Sequence, residues 1–179
     1  MRKLKIGLLP LFLKLYVDTN PKMLERSEDF YKQIVKEFYR KGIDVVEHPI
    51  SCVEEEFERA VNSFTSENVD AIVTLHLAYS PSLESAGPLS KSDLPIIILN
   101  TTETYDFGQS QDKKEISYNH GIHGVQDMCN LLIRNKKEFI IEAGHWKNSD
   151  VIDRVISAVK AARIARSMKN AKIGQLGNV

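Results

Sequence analysis

Short apolar runs alternate with amphipathic stretches along nearly the whole chain. Residues 4–10 form a compact apolar run that predicts a buried strand. Pro21 opens a long helix to Lys41, where Gly42 stops it. Phe30, Ile34, Val35 and Phe38 recur at helical spacing and give that helix one apolar face. Residues 43–50 predict the second strand. Residues 52–67 predict a helix with Val53, Phe57, Ala60, Val61 and Phe64 inward. Three further apolar runs, 71–75, 95–99 and 139–141, predict strands three to five. The helices of residues 122–135 and 149–168 follow, the second capped by Ser149 with Asp150 and Asp153 in its first turn.

Strands that are apolar on both faces belong to a parallel sheet covered by helices on both sides. The alternation therefore predicts an α/β fold: an open, doubly wound, parallel five-stranded sheet of order 2-1-3-4-5. The longest irregular piece is residues 101–118, polar and close to the expected functional edge. Residues 172–179 read as the start of one more strand.

Composition adds limits. The 179 residues suffice for one domain with a sizeable core. The 24 basic and 24 acidic residues cancel, so charge gives no reason to expect nucleic acid or an anionic membrane as partner. The apolar opening run is interrupted by Lys14, far below the ~20 residues a membrane span requires. Cys52 and Cys129 form neither a disulfide framework nor a C-x-x-C motif, which fits a reduced, cytoplasmic protein.

The candidate chemistry collects where strands end. His48 and His76 end the second and third strands, His120 and His123 follow the fourth, and His145 follows the fifth. Ligands of open parallel sheets bind beyond the carboxyl ends of the strands. His120 and His123, in Asn119-His120-Gly121-Ile122-His123-Gly124, stand at a helix start. They read as ligand or subunit contacts, as helix-capping groups, or as an i, i+3 metal pair, and two His alone do not close a metal site. His145 and Trp146 suit sugar stacking and hydrogen bonding, or a Trp packed under a loop with the His bonded to backbone. His76 and Tyr79 stand between rim and core, and Glu103 and Asp106 are the nearest carboxylates. No G-x-G-x-x-G or G-x-x-x-x-G-K-[ST] is present, which argues against dinucleotide and P-loop sites. The first loop, residues 11–16, is too bulky for a phosphate cradle and lacks paired acids for magnesium.

Several of these segments resemble the N-terminal, flavodoxin-like domain of the L-arabinose and L-fucose isomerase superfamily. Tyr16 follows the first strand in a similar Leu-Tyr pair. The run from His76 through Tyr79 to Ser80 and Pro81 resembles the family's third-strand exit. His123-Gly124 resembles its His-Gly, and Gly144-His145-Trp146 its Gly-His-Trp segment. The chain departs at His120, where arabinose isomerases tend to have Gln, and in its first loop, which lacks their Gly-Ser-Gln-His.

The resemblance implies that residues 1–170 form an N-terminal domain and that 171–179 begin a strand into a middle domain. The parent would be a three-domain aldose–ketose isomerase, an oligomer with a divalent metal, usually manganese. Its metal ligands lie in the middle and C-terminal parts, so this chain is expected to hold no cofactor, metal or catalytic residue and to be inactive alone. What carries over is substrate contact: His123 matches a His that reaches a neighbouring subunit's site, and Tyr79 and Tyr16 match rim positions. The expected partners are an aldose or ketose, the rest of the parent chain and neighbouring subunits. A free-standing sugar-binding or sensing module of the same fold is the alternative.

Overall fold

A computed structural model describes residues 2–80, 82–172, 174 and 177. Twelve elements follow in order: β1 (Lys5–Leu11), α1 (Lys14–Thr19), α2 (Pro21–Arg40), β2 (Asp44–Glu47), α3 (Glu54–Ser66), β3 (Ala71–His76), α4 (Leu83–Lys91), β4 (Ile96–Asn100), α5 (Glu115–Asn119), α6 (Gly121–Arg134), β5 (Phe139–Ala143) and α7 (Val151–Lys169). All strand pairs are parallel, in the order β2-β1-β3-β4-β5. This is the α/β, flavodoxin-like architecture that the apolar pattern predicts. The strand expected over residues 172–179 falls largely outside the described residues.

Alternation along each strand divides the core. Ile6, Leu8, Val73, Leu75, Ile97 and Leu99 face α2 and α7. Leu9, Leu11, Ile72, Ile96 and Ile98 face α3 and α6 with Phe57, Phe64, Val125 and Met128. Three expectations need correction, and one helix was not predicted at all. Residues 83–91 form α4 despite Pro88, whose ring is buried. Its missing N–H removes one helical bond, and packing outweighs the loss. Residues 14–19 are helical, and the polar stretch after β4 contains α5. Finally, β5 is not covered on both faces: Ile140 and Ile141 are 41% and 44% exposed, because β5 is an edge strand.

Helix ends use nearby side chains. The Asn20 side chain accepts the Met23 N–H at the start of α2. Glu56 reaches back to the N–H groups of Cys52 and Val53 at the start of α3. Ser149 accepts the Val151 N–H at the start of α7. Among the described residues no helix is long and apolar enough to cross a membrane.

Candidate functional site

The carboxyl ends of β1, β3 and β4 bring four rings together. The turn from β1 into α1 places Tyr16, the exit of β3 places Tyr79, and the α5–α6 junction places His120 and His123. His120 is the hub. Its ring lies 6.1 Å from Tyr79 in a stacked arrangement, 6.5 Å from Tyr16 and 6.0 Å from His123. Phe12 braces Tyr16 from the core side at 5.8 Å. The Tyr79 hydroxyl donates to Asp127, one turn along α6 from His123.

The start of α6 sits almost on the sheet, and its glycines make that possible. A Cβ on Gly121 would fall 2.5 Å from the His76 carbonyl oxygen. One on Gly124 would fall 2.6 Å from His76 Cδ2 and 2.8 Å from the Ser80 carbonyl oxygen. Only a residue without a side chain fits these contacts. Ser82 then donates its hydroxyl to the Gly124 carbonyl. Of the two places open to His76, rim and core, the structure gives the core. His76 is the last residue of β3, points beneath α6 and is 3% exposed. Neither ring nitrogen has a hydrogen-bond partner among the described residues. Burial pushes its pKa down to about 3, so the ring is neutral.

The two rim histidines differ. His123 is exposed, and its Nδ1 lies 3.2 Å from the His120 carbonyl oxygen. A carbonyl only accepts, so Nδ1 carries a proton and donates it to this contact. His120 is half-buried; burial lowers its pKa and nearby His123 acts in the same direction. Its Nδ1 is buried without a partner among the described residues. The Asp127 charge, first, raises the Tyr79 phenol, so Tyr79 stays a neutral donor.

His145 and Trp146 stand apart from this cluster and serve the loop. His145 Nδ1 accepts the N–H groups of Lys147 (3.2 Å) and Asn148 (3.1 Å). Nε2 therefore carries the proton and donates to the Glu103 carbonyl at 3.3 Å. With both nitrogens occupied by backbone, His145 has no free atom for a sugar. Trp146 is buried in the core with Phe30 6.0 Å away, and Lys147 covers its ring. Of the two readings open for this pair, the geometry is that of a packed Trp and a backbone-bonded His. His48 also points elsewhere, bonding near Pro49 and Ser51 beside Phe64.

Arg26 fixes the polar stretch between β4 and α6. It makes a bidentate pair with Glu115, bonds Glu103 through Nε, and lies 4.0 Å over the Tyr118 ring. Glu115 is held below the usual carboxylate range, chiefly by its bond to Arg26. Asn119 adds bonds to Thr104 and the Glu115 carbonyl. Glu103 is thereby a brace rather than a ligand group, while Asp106 is exposed. Six large apolar side chains lie exposed on segments that follow strands: Leu15, Leu83, Tyr105, Phe107, Ile116 and Ile122. Among the described residues no three His, Cys, Asp or Glu side chains converge to hold a metal. The groups present do not fit a manganese site. They offer hydroxyl-scale hydrogen bonding and ring faces.

Comparison with known proteins gives a limited likeness. The L-arabinose isomerases of Shewanella sp. strains ANA-3 and MR-7 are each 25% identical over 164 residues. The match covers 88% of this chain and 33% of theirs, so the chain spans about a third of the length of these relatives. No family model matches. Among solved structures, a periplasmic sugar-binding protein of an ABC transporter from Legionella pneumophila aligns at 14% identity over 89% of this chain and 67% of its own, with TM-score 0.31. The transcription regulator CcpA of Lactococcus lactis aligns at 12% identity over 96% and 75%, with TM-score 0.32. These two scores are too low to bear on function.

Proposed function

We propose that this chain is a sugar-facing domain of an aldose–ketose isomerase of the L-arabinose/L-fucose isomerase type. It supplies one wall of a site and leaves the chemistry to groups elsewhere. The observation that carries this reading is the Tyr16–Tyr79–His120–His123 cluster on an open sheet edge. Ring faces suit the C–H faces of a sugar, and His123 Nε2 and Asp127 form hydrogen bonds with hydroxyls. The 25% identity to L-arabinose isomerases supports the same assignment.

Moving hydrogen between adjacent carbons requires a base and an electrophile such as a metal. The role left for these residues is to orient the sugar and exclude water. Tyr16 braces the hub, Tyr79 presents a face and a fixed hydroxyl, and His123 reaches outward. In an oligomeric parent, His123 contacts the sugar held by a neighbouring subunit.

The test is an assay of the 179-residue chain with L-arabinose, L-fucose and other aldoses, with manganese added. No ketose is expected to form. Manganese-dependent isomerisation by this chain alone overturns the division of labour. A second reading, a free-standing sugar-binding module, is favoured by the fact that the ring cluster assembles within one chain. Calorimetric titration with pentoses and hexoses separates them. A free module binds at micromolar to low-millimolar levels, whereas a single wall binds far more weakly.

A further inference from the structure

Past Tyr79 the carboxyl edge carries a second concavity. It lies between the start of α4 and the outer face of α6 and has a volume of about 430 Å³. That size is within the range of small-molecule sites. Tyr79, Leu83, Gln126, Asp127, Asn130 and Leu131 form its walls, and His120 and His123 do not. The groove and the rim therefore share only Tyr79 and Asp127. His120 stacks on one face of the Tyr79 ring, so this ring stands as a partition between the two places.

Helical spacing builds the groove. α6 turns Gly121, Gly124, Val125, Met128 and Leu132 inward. Gln126 and Asn130 are one helical step apart on the outer side, as are Asp127 and Leu131, so the four side chains make two adjacent rows. An exposed helix face needs only to be soluble, and charged side chains suffice for that. This one instead sets two uncharged amides beside an aromatic ring and two leucines.

The lining decides what fits. Asp127 is its one charged group among the described residues. A carboxylate with no cation beside it disfavours phosphate and carboxylate ligands. The Tyr79 hydroxyl bonds Asp127 Oδ2 at 3.2 Å, which leaves Oδ1 for another donor. Gln126 and Asn130 each bring an acceptor oxygen and an NH₂ donor. Both are exposed, and among the described residues neither side chain bonds another protein group. Leu83, which is 76% exposed, and Leu131 add apolar contact. A sugar ring matches this set, since its hydroxyls both donate and accept and its C–H faces cover apolar and aromatic side chains.

We propose that this groove is a second sugar subsite, which takes one uncharged sugar ring. Gln126, Asp127 and Asn130 meet its hydroxyls, and Leu83, Leu131 and Tyr79 meet its C–H face. The subsite goes beyond the isomerase reading and does not rest on it: a sugar fits here whether or not His123 touches one.

A groove open to solvent, with few polar partners, holds a single ring weakly, with Kd on the order of 10–100 mM. Side-chain amide signals in nuclear magnetic resonance report such binding directly. The nitrogen-labelled 179-residue chain is titrated with L-arabinose, L-fucose and glucose, and separately with glucuronate, the carboxylate counterpart of glucose. The Gln126 and Asn130 amide signals should move and saturate with at least one neutral sugar, and glucuronate should bind more weakly than glucose. The double variant Gln126→Ala/Asn130→Ala alters exposed positions and should stay folded by circular dichroism. It should weaken the neutral sugar at least about tenfold, read from the backbone signals of Asp127 and Leu131. Movement at Gln126 and Asn130 with none at the His120 and His123 rings supports this subsite and counts against the rim. Movement at those rings alone leaves the isomerase reading standing and overturns the subsite. Equal movement of the exposed Asn62 and Asn148 amides, glucuronate binding as well as glucose, or a double variant that binds like the parent also overturns it.

Discussion

Acid should loosen this protein through one residue, His76. Its imidazole is buried under α6 with no hydrogen-bond partner among the described residues, and its pKa falls from 6.5 to about 3. The folded form thus binds a proton far less readily than the unfolded chain. Stability from this group is complete above pH 6.5 and is lost as pH falls from 6.5 toward 3. At 1.36 kcal/mol per pH unit, the loss is roughly 2 kcal/mol by pH 5. That is a large fraction of the ~5–15 kcal/mol typical of a domain. Carboxylates add slopes of their own, so a difference measurement isolates the histidine. Urea denaturation from pH 7.5 to 4.5 should show the parent losing about 2 kcal/mol more than His76→Gln by pH 5. The His76 ring carbon resonance should also fail to titrate across that range. Parallel stability profiles for parent and variant, or a normal His76 titration near pH 6.5, would refute the reasoning.

Other outcomes follow from the same geometry. Gly124→Ala gains helix propensity of about 1 kcal/mol. It also drives a methyl into the His76 ring and the Ser80 carbonyl. A net destabilisation of about 1–3 kcal/mol by thermal or urea unfolding is expected, and a neutral variant would mean that α6 lies farther from the sheet. Arg26→Met strands Glu103 and Glu115, at a cost of about 1–3 kcal/mol. It should make residues 101–120 the first site of limited proteolysis; unchanged cleavage would remove Arg26 as the brace. The Tyr79 phenol should titrate above its usual range by ultraviolet absorbance, and Asp127→Asn should bring it back. If Asp127→Asn leaves the titration unmoved, the contact between Tyr79 and Asp127 is absent in solution.

The sheet order was legible because β1, β3 and β4 are apolar on both faces, a signature that few other architectures share. The exposure of β5 was not, since Phe139-Ile140-Ile141 reads like the central strands and only the count of neighbours makes it an edge. α4 was hidden by Gly87, Pro88 and a scatter of serines, and tertiary packing overrides that local signal. At the site, Tyr16, Tyr79, His120 and His123 do converge, whereas His76 and Trp146 turn inward and His145 is spent on backbone. A cue for His76 was present: Gly121 and Gly124, three apart on one helix face, signal a close approach to whatever the preceding strand presents. Asp127 was also recoverable, being four residues beyond His123 and so on the same face. Arg26 was not, because its partners lie 77 and 89 residues away and nothing local marks them.

Because His76 and Gly124 occupy what amounts to a single volume, neither position is free to vary alone. A related chain that carries alanine or serine at 124 should carry a smaller residue at 76, and the reverse exchange should open a gap. Substituted singly, each change should be costly; made together, they should cancel only in part, because the Ser80 carbonyl still meets the new methyl. Any effort to reshape the His120–His123 rim must therefore treat the end of β3 and the first turn of α6 as one unit, exchanged in concert.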